Sequence, residues 1–142
     1  MDILGPLPET KLRHKYIITA IDTCARYLFA QALKRIRTKE TIEFLKIIFN
    51  EKGIPRIIQT DNGKNFVSTE FQDFLKLYSI IHPQFQGMVE RMNKTLCERL
   101  RIYCQQIEGW DLKLKKVILG INLNKKNITR KSPFYFMHGF EQ

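Results

Sequence analysis

The sequence predicts a mixed α/β domain. β-branched runs bounded by turn residues occupy the N-terminal third, apolar residues at helical spacing dominate the second half, and strand and helix signals alternate between them. The chain has 142 residues, a length that favours one domain and can bury a sizeable core.

Asp2 falls in a first strand, which Gly5-Pro6-Leu7-Pro8 ends. Residues 15–22 (Lys-Tyr-Ile-Ile-Thr-Ala-Ile-Asp) form a β-branched run that reads as a strand buried on both faces. A turn over 23–26 leads into an antiparallel partner over 27–33. The spacing predicts a helix over 38–52, capped by Thr38, with Ile42, Leu45, Ile48 and Phe49 as its apolar stripe and Gly53 and Pro55 as its stop. Residues 56–60 read as a short strand, halted by Asp61-Asn62-Gly63. Thr69 and Gln72 resemble a capping box for a second helix through Tyr78, which turns Phe71, Phe74, Leu75 and Tyr78 inward. Residues 79–81 begin another strand. A long helix over 86–107 aligns Val89, Met92, Leu96, Leu100, Tyr103 and Ile107 on one face, with Glu90, Lys94, Cys97 and Arg101 opposite. A further helix spans 110–122, and the tail over 127–139 reads as irregular and aromatic-rich.

With 24 Lys+Arg against 14 Asp+Glu, the formal charge is +10. Such a balance points to a polyanionic partner, of which nucleic acid is the usual one. No run approaches the roughly 18 apolar residues of a membrane helix, and the first residues lack a signal peptide's basic start and apolar core. An intracellular protein without a membrane partner is therefore expected. Cys24, Cys97 and Cys104 form no CxxC pair and make no zinc ligand set with the scattered His14, His82 and His138, so they read as reduced thiols. One basic cluster holds Lys34, Arg35, Arg37 and Lys39. Another holds Lys113, Lys115, Lys116, Lys125, Lys126, Arg130 and Lys131. Each reads either as solvated surface or as phosphate contact. Trp110 and Phe134-Tyr135-Phe136 read as packing groups, and Asp22 as a structural hairpin-turn acid.

Three acids sit at element ends: Asp2 in the first strand, Asp61 after the strand at 56–60, and Glu90 in the first turn of the long helix. Clustered carboxylates repel by roughly 1–4 kcal/mol per pair at 4 Å and coexist when protonated or bridged by cations. Mg²⁺ takes hard oxygen ligands, and two such ions can clamp the attacking and leaving oxygens of a phosphoryl group. A basic surface around an acidic metal-binding cleft is the physics of an enzyme that cuts or joins nucleic acid. Spacing alone leaves open two solvated turn acids and a Glu90–Lys94 helix pair.

The surrounding residues are more specific. Asp2-Ile-Leu-Gly-Pro-Leu-Pro8, Thr60-Asp-Asn-Gly-Lys-Asn-Phe66, and His82-Pro-Gln-Phe-Gln-Gly-Met-Val-Glu-Arg-Met-Asn-Lys-Thr-Leu96 resemble successive motifs of the integrase catalytic core, in the form found in gypsy-type long-terminal-repeat retrotransposons and, more distantly, retroviruses. Thr129-Arg-Lys-Ser-Pro-Phe134 with Gly139 is similar to the segment that closes that domain. The resemblance covers nearly the whole chain, in order. It implies a ribonuclease-H-like fold, a mixed five-stranded sheet flanked by helices, and a two-metal polynucleotidyl transferase that uses Mg²⁺, with Mn²⁺ substituting. Asp2, Asp61 and Glu90 match its catalytic, metal-holding triad. Asn62 and Gly63 match the turn after the second Asp, Asn65 a polar neighbour of the site, Gln86 and Gly87 the loop before the helix, and Lys94 a contact to the DNA end; Asn62, Asn65, Gln86 and Lys94 are thus the implied DNA-binding residues. The implied partners are element-end and target DNA and further copies of the chain, with no small-molecule substrate. The implied location is the nucleus.

The sequence also departs from the pattern. Between Asp61 and Glu90 there are 28 residues, where the motif implies about 35. The shortfall falls after 79–81 and predicts a shortened fifth strand. Residues 79–85 reach at most about 25 Å when extended. Met1 precedes Asp2 directly, which predicts a truncated first strand, and neither a zinc-binding nor a C-terminal DNA-binding module is expected in residues 1–142. The alternative to an active integrase core is a catalytically inactive remnant of a retroelement that binds only DNA or a protein.

Overall fold

The structure, a computed structural model, describes residues 1–83, 90–125 and 129–141, the side chains of 90–96 excepted. Three strands form an antiparallel sheet in the order β1 (Asp2–Leu4), β2 (Tyr16–Ile21), β3 (Leu28–Leu33). Asp2 pairs with Thr19 and Leu4 with Ile17, while β2 and β3 pair from Tyr16↔Leu33 to Ile21↔Leu28. The hairpin turn is closed by Asp22, whose carboxylate accepts the amides of Cys24 and Ala25 at 3.1 and 2.6 Å. This is the structural role the sequence suggested.

Ile17 and Ile18 are both fully buried, on opposite faces of β2, because helices cover both sides of the sheet. Each contributes about 1.5–3 kcal/mol of hydrophobic stabilisation. On one side Ile18 and Leu33 meet Phe44 of α1 (Thr38–Lys52). On the other, Leu4 and Ile17 meet Leu100 and Cys104 of α4 (Glu90–Gln106) and Trp110 and Leu114 of α5 (Trp110–Leu123). A third cluster joins α1 to α2 (Lys64–Val67) and α3 (Thr69–Leu77) through Ile42, Leu45, Phe49, Phe66, Phe71, Phe74 and Leu75. Trp110 is a core group, as expected, and its indole N–H donates to the Pro8 carbonyl at 2.9 Å. Beside it, Asp111 accepts from Thr10 Oγ1 and from His14 Nδ1, each at 2.7 Å, so the loop before β2 is pinned to the start of α5.

Several expectations are corrected. The strand predicted over 56–60 is reduced to one parallel bridge, Ile57↔Ile81, and the further strand is that single residue. Hence the five-stranded sheet is realised as three strands and a bridge among the described residues. A ladder propagates only while successive residues of both partners stay extended and in register. β1 reaches this segment through one bond, from the Met1 ammonium to the Gln59 carbonyl at 2.6 Å. On the other side Ser79, at φ 55°, turns the chain just before Ile81.

The caps also shift. Arg37, not Thr38, precedes α1, and the Thr38 hydroxyl lies 3.0 Å from Ser68 Oγ instead. Ser68, not Thr69, caps α3 by accepting the Phe71 amide at 3.3 Å. Gln72 then turns away from the cap and donates to the Phe66 carbonyl. The tail contains a short helix, α6 (Pro133–His138), capped by Ser132 at one end and by Gly139, at φ 82°, at the other. Cys97 was placed on the outer face of α4 but is buried with Leu100 and Cys104. A thiol behaves as a small apolar group, and its size lets a helix approach a sheet closely.

One polar contact holds α5 to the sheet. Asn122 is fully buried, accepts the Leu28 amide at 2.8 Å and donates to the Leu28 carbonyl at 2.9 Å. Its amide thus occupies the place of a further strand beside β3. Asn122→Ala strands both backbone groups and is expected to cost about 2–4 kcal/mol in urea unfolding.

Candidate active site

Asp2 opens β1, and its register against Thr19 fixes where its backbone lies. The carboxylate is half-buried and accepts the amide of Ile3 at 2.8 Å through Oδ1. Burial pushes its pKa up. The Ile3 amide works against that, and the charge of Asp61 reinforces it. The two acids, far apart in sequence, therefore sit close enough to repel. The bond from Met1 to Gln59 brings their segments together. The same burial pushes the Met1 ammonium down, while Asp2, Cys97 and Asp61 favour its charged form.

Asp61 is exposed on the turn between Ile57 and α2. Its Oδ1 accepts the Gly63 amide at 3.2 Å. Space is tight there: a Cβ at position 63 would lie 3.0 Å from Asn65 Oδ1 and 3.2 Å from Asp61 Oδ1, so a side chain would press on both. Each aspartate thus spends Oδ1 on a backbone amide. Among the described residues, no donor reaches either Oδ2.

Glu90 begins α4, seven residues or two helical turns ahead of Cys97 on the same face. That face packs on β2, where Cys97 Sγ lies 3.6 Å from Thr19 Oγ1, beside the residue that pairs with Asp2. Burial raises the Cys97 pKa, so the thiol stays neutral next to the acids. The Glu90 and Lys94 side chains and all of Gln86 lie outside the described residues. Asn62 is exposed on the Asp61 turn. Asn65 is buried and donates to Thr41 Oγ1 at 3.2 Å, tying α2 to α1 behind the turn.

Two residues the sequence did not single out complete the surroundings. Thr60 donates its hydroxyl to the Asp61 carbonyl at 2.8 Å, and His82 lies 2.8 Å from Thr60 Oγ1. His82 stood inside a quoted motif, but nothing in its spacing from Thr60 revealed the contact. A cavity of about 460 Å³ opens between the end of β2, the C-terminal half of α1 and residues 53–59. Its walls are mainly aliphatic, and neither Asp2 nor Asp61 lines it. Lys34, Arg35, Arg37 and Lys39 are exposed, as are Lys113, Lys115, Lys116, Lys125 and Arg130, while Lys131 rests its ammonium 4.0 Å from the Tyr135 ring centroid. Lys126 lies outside the described residues.

A family model described as the integrase core domain matches residues 1–83, a span that contains both Asp2 and Asp61. The chain belongs to the integrase core domain family. Among its relatives, the Pol-related polyprotein of a mouse intracisternal A-particle is 34% identical over 89 residues, which cover 58% of this chain and 10% of that one. The retrovirus-related Pol polyprotein from transposon TNT 1-94 of Nicotiana tabacum is 32% identical over 114 residues, 70% of this chain and 8% of that one. This integrase core thus spans a small fraction of the polyproteins it matches. In structure, it resembles the HTLV-2 integrase catalytic core domain in complex with magnesium at a TM-score of 0.71 and 28% identity, over 95% of this chain and 100% of that one. It also resembles a chain of the simian T-cell lymphotropic virus intasome in complex with PP2A regulatory subunit B56 gamma, at 0.76 and 26%, over 96% and 53%. The fold is the ribonuclease-H-like fold of these cores, with a reduced sheet.

The raised pKa of Asp2 has a consequence for stability. A carboxyl whose pKa is higher in the folded chain than in the unfolded one favours the fold below its unfolded pKa. That contribution is lost as pH rises through the folded value. At neutral pH the ionised Asp2 therefore opposes folding. Asp2→Asn is expected to raise the unfolding midpoint at pH 7, and the gain is expected to vanish below about pH 4, read by urea titration across that range. A variant less stable at pH 7 would contradict the burial and repulsion assigned to Asp2.

Proposed function

We propose that this chain is the catalytic core of a retroelement integrase, a Mg²⁺-dependent polynucleotidyl transferase that acts on DNA ends and target DNA. The observation that carries the reading is that the bond from Met1 to the Gln59 carbonyl brings the segment of Asp2 to the segment of Asp61, so that the charge of Asp61 is felt at Asp2, a cost that a divalent cation would offset. The donor set fits Mg²⁺, since both groups are hard oxygen ligands. Asp2, Asp61 and Glu90 would hold the ions. The chemistry such ions supply when bound is charge neutralisation at the phosphodiester and activation of the attacking hydroxyl.

The chain's own groups have distinct tasks. Ile3 and Gly63 amides steady Oδ1 of each aspartate, which leaves Oδ2 for ligation. A cation bound beside the half-buried Asp2 would offset the cost of its charge. The exposed lysines and arginines bind phosphates and orient the strand without reading its sequence. In the reaction, water attacks a phosphodiester near the element's end, and the freed 3′-hydroxyl then attacks target DNA in line. Homo-oligomerisation and nuclear action belong to the same proposal. Asn62, Gln86 and Lys94 are proposed DNA contacts, whereas Asn65 supports the turn from behind.

A second reading, a remnant that binds DNA without catalysis, is favoured by one observation: the strand leading to Asp61 is a single bridge. A misplacement of about 1 Å can cost roughly 100-fold in rate. The test is end-nicking and strand transfer with Mg²⁺ or Mn²⁺. The transferase predicts activity that Asp61→Asn lowers by about 100-fold or more. The remnant predicts no activity and DNA affinity indifferent to metal. Both predict steep salt dependence, a log–log slope near −5 for about six phosphates.

A further inference from the structure

His82 lies beside the Asp61 turn, at the start of the stretch of chain that precedes α4. Its imidazole is partly buried, edge-on to the fully buried Phe71 ring at 5.6 Å between centroids. Its Nδ1 lies 2.9 Å from Gln72 Nε2 and its Nε2 lies 2.8 Å from Thr60 Oγ1.

The bonding pattern fixes the tautomer. Gln72 Nε2 also donates to the Phe66 carbonyl at 2.8 Å, and a carbonyl can only accept. The Gln72 amide therefore cannot be flipped, and its second N–H points at His82 Nδ1, which must accept. The single proton of a neutral imidazole then sits on Nε2 and is donated to Thr60 Oγ1. The Thr60 hydroxyl has one proton and spends it on the Asp61 carbonyl at 2.8 Å. The result is a directed chain: Gln72 to His82 to Thr60 to the Asp61 backbone. Every donor and acceptor in it is matched. Burial and the nearby Met1 ammonium both lower the His82 pKa, which favours the neutral ring that this chain needs.

We propose that His82 is a positioning residue that, through Thr60, sets the Asp61 turn for metal binding and couples it to the start of the segment leading to Glu90. The proposal rests on the reading of Asp61 as a metal-holding carboxylate. Mg²⁺ demands ligands in tight octahedral geometry, so a turn free to shift loses affinity. Replacing the imidazole by phenylalanine keeps a ring against Phe71 but removes both nitrogens. Asparagine keeps one acceptor beside one donor.

The experiment is calorimetric titration of the folded chain with Mn²⁺, alongside ¹⁵N NMR of the imidazole and of the Asp61–Gly63 amides. His82→Phe is expected to weaken Mn²⁺ binding by about tenfold or more, with Thr60→Val reproducing the loss and His82→Asn recovering most of it. The NMR is expected to show Nε2 protonated and Nδ1 bare, and His82→Phe to move the 61–63 amide signals. Wild-type affinity in a folded His82→Phe protein, or a proton on Nδ1, would overturn the proposal. If His82→Phe does not fold, Thr60→Val decides, and wild-type affinity there overturns it. If the wild-type chain binds no Mn²⁺, the metal-site reading fails by itself. The 61–63 amide shifts then judge the positioning role alone, and unmoved signals would refute it.

Discussion

The pairing of three residues, Asp2–Leu4, with the middle of β2 is the constraint on which the site depends. It places Asp2 opposite Thr19, which in turn faces Cys97 of α4, and it aims the Met1 nitrogen at the Gln59 carbonyl just before the Asp61 turn. Helix α1 also joins the hairpin to the segment that carries the second aspartate, with Phe44 against Ile18 and Leu33 and with Ile42 and Leu45 in the cluster of Ile58 and Phe66, but β1 is what carries Asp2 itself to that segment. The strand is short, but its neighbour is buried on both faces, so a register slip would push Ile17 and Ile18 to the wrong sides and is strongly resisted.

Around this point the molecule accepts electrostatic cost. Asp2 loses part of its hydration and feels Asp61, and two backbone amides return only a fraction of what is lost. Asn122, by contrast, satisfies both backbone groups of Leu28, and Asp111 is bonded by Thr10 and His14, while Glu40 Oε2 is buried with no partner among the described residues. The aspartate pair is thus a place where local stability is given up.

The two cysteines of α4 show how the helix is seated. Cys97 and Cys104 flank Leu100 on the buried face, and burial pushes the Cys104 thiol up to about 11. Neutral thiols of this size let the helix lie against β2, with Cys97 beside Thr19. The thiols thus belong to packing, as their scattered spacing suggested, though not on the face that hydrophobic periodicity assigned to Cys97.

Sequence by itself determined the mixed α/β class, the hairpin, the limits of α1 and α5, the inward face of α3 and the acids at element ends. Each follows from local signals: β-branched runs, helical periodicity, and glycine or proline stops. The motifs around Asp2 and Asp61 also carried the family. Tertiary structure decided the rest. Whether residues 56–60 become a strand depends on neighbours distant in sequence, and these supply one bridge. Ser68 rather than Thr69 caps α3, and the face Cys97 occupies is set by the sheet it meets. The Gln72–His82–Thr60 chain joins three segments whose meeting no local pattern records. Local propensity is written residue by residue. Hydrogen-bond partners and shared burial exist only once distant segments are brought together, and a site made of such contacts is decided at that level.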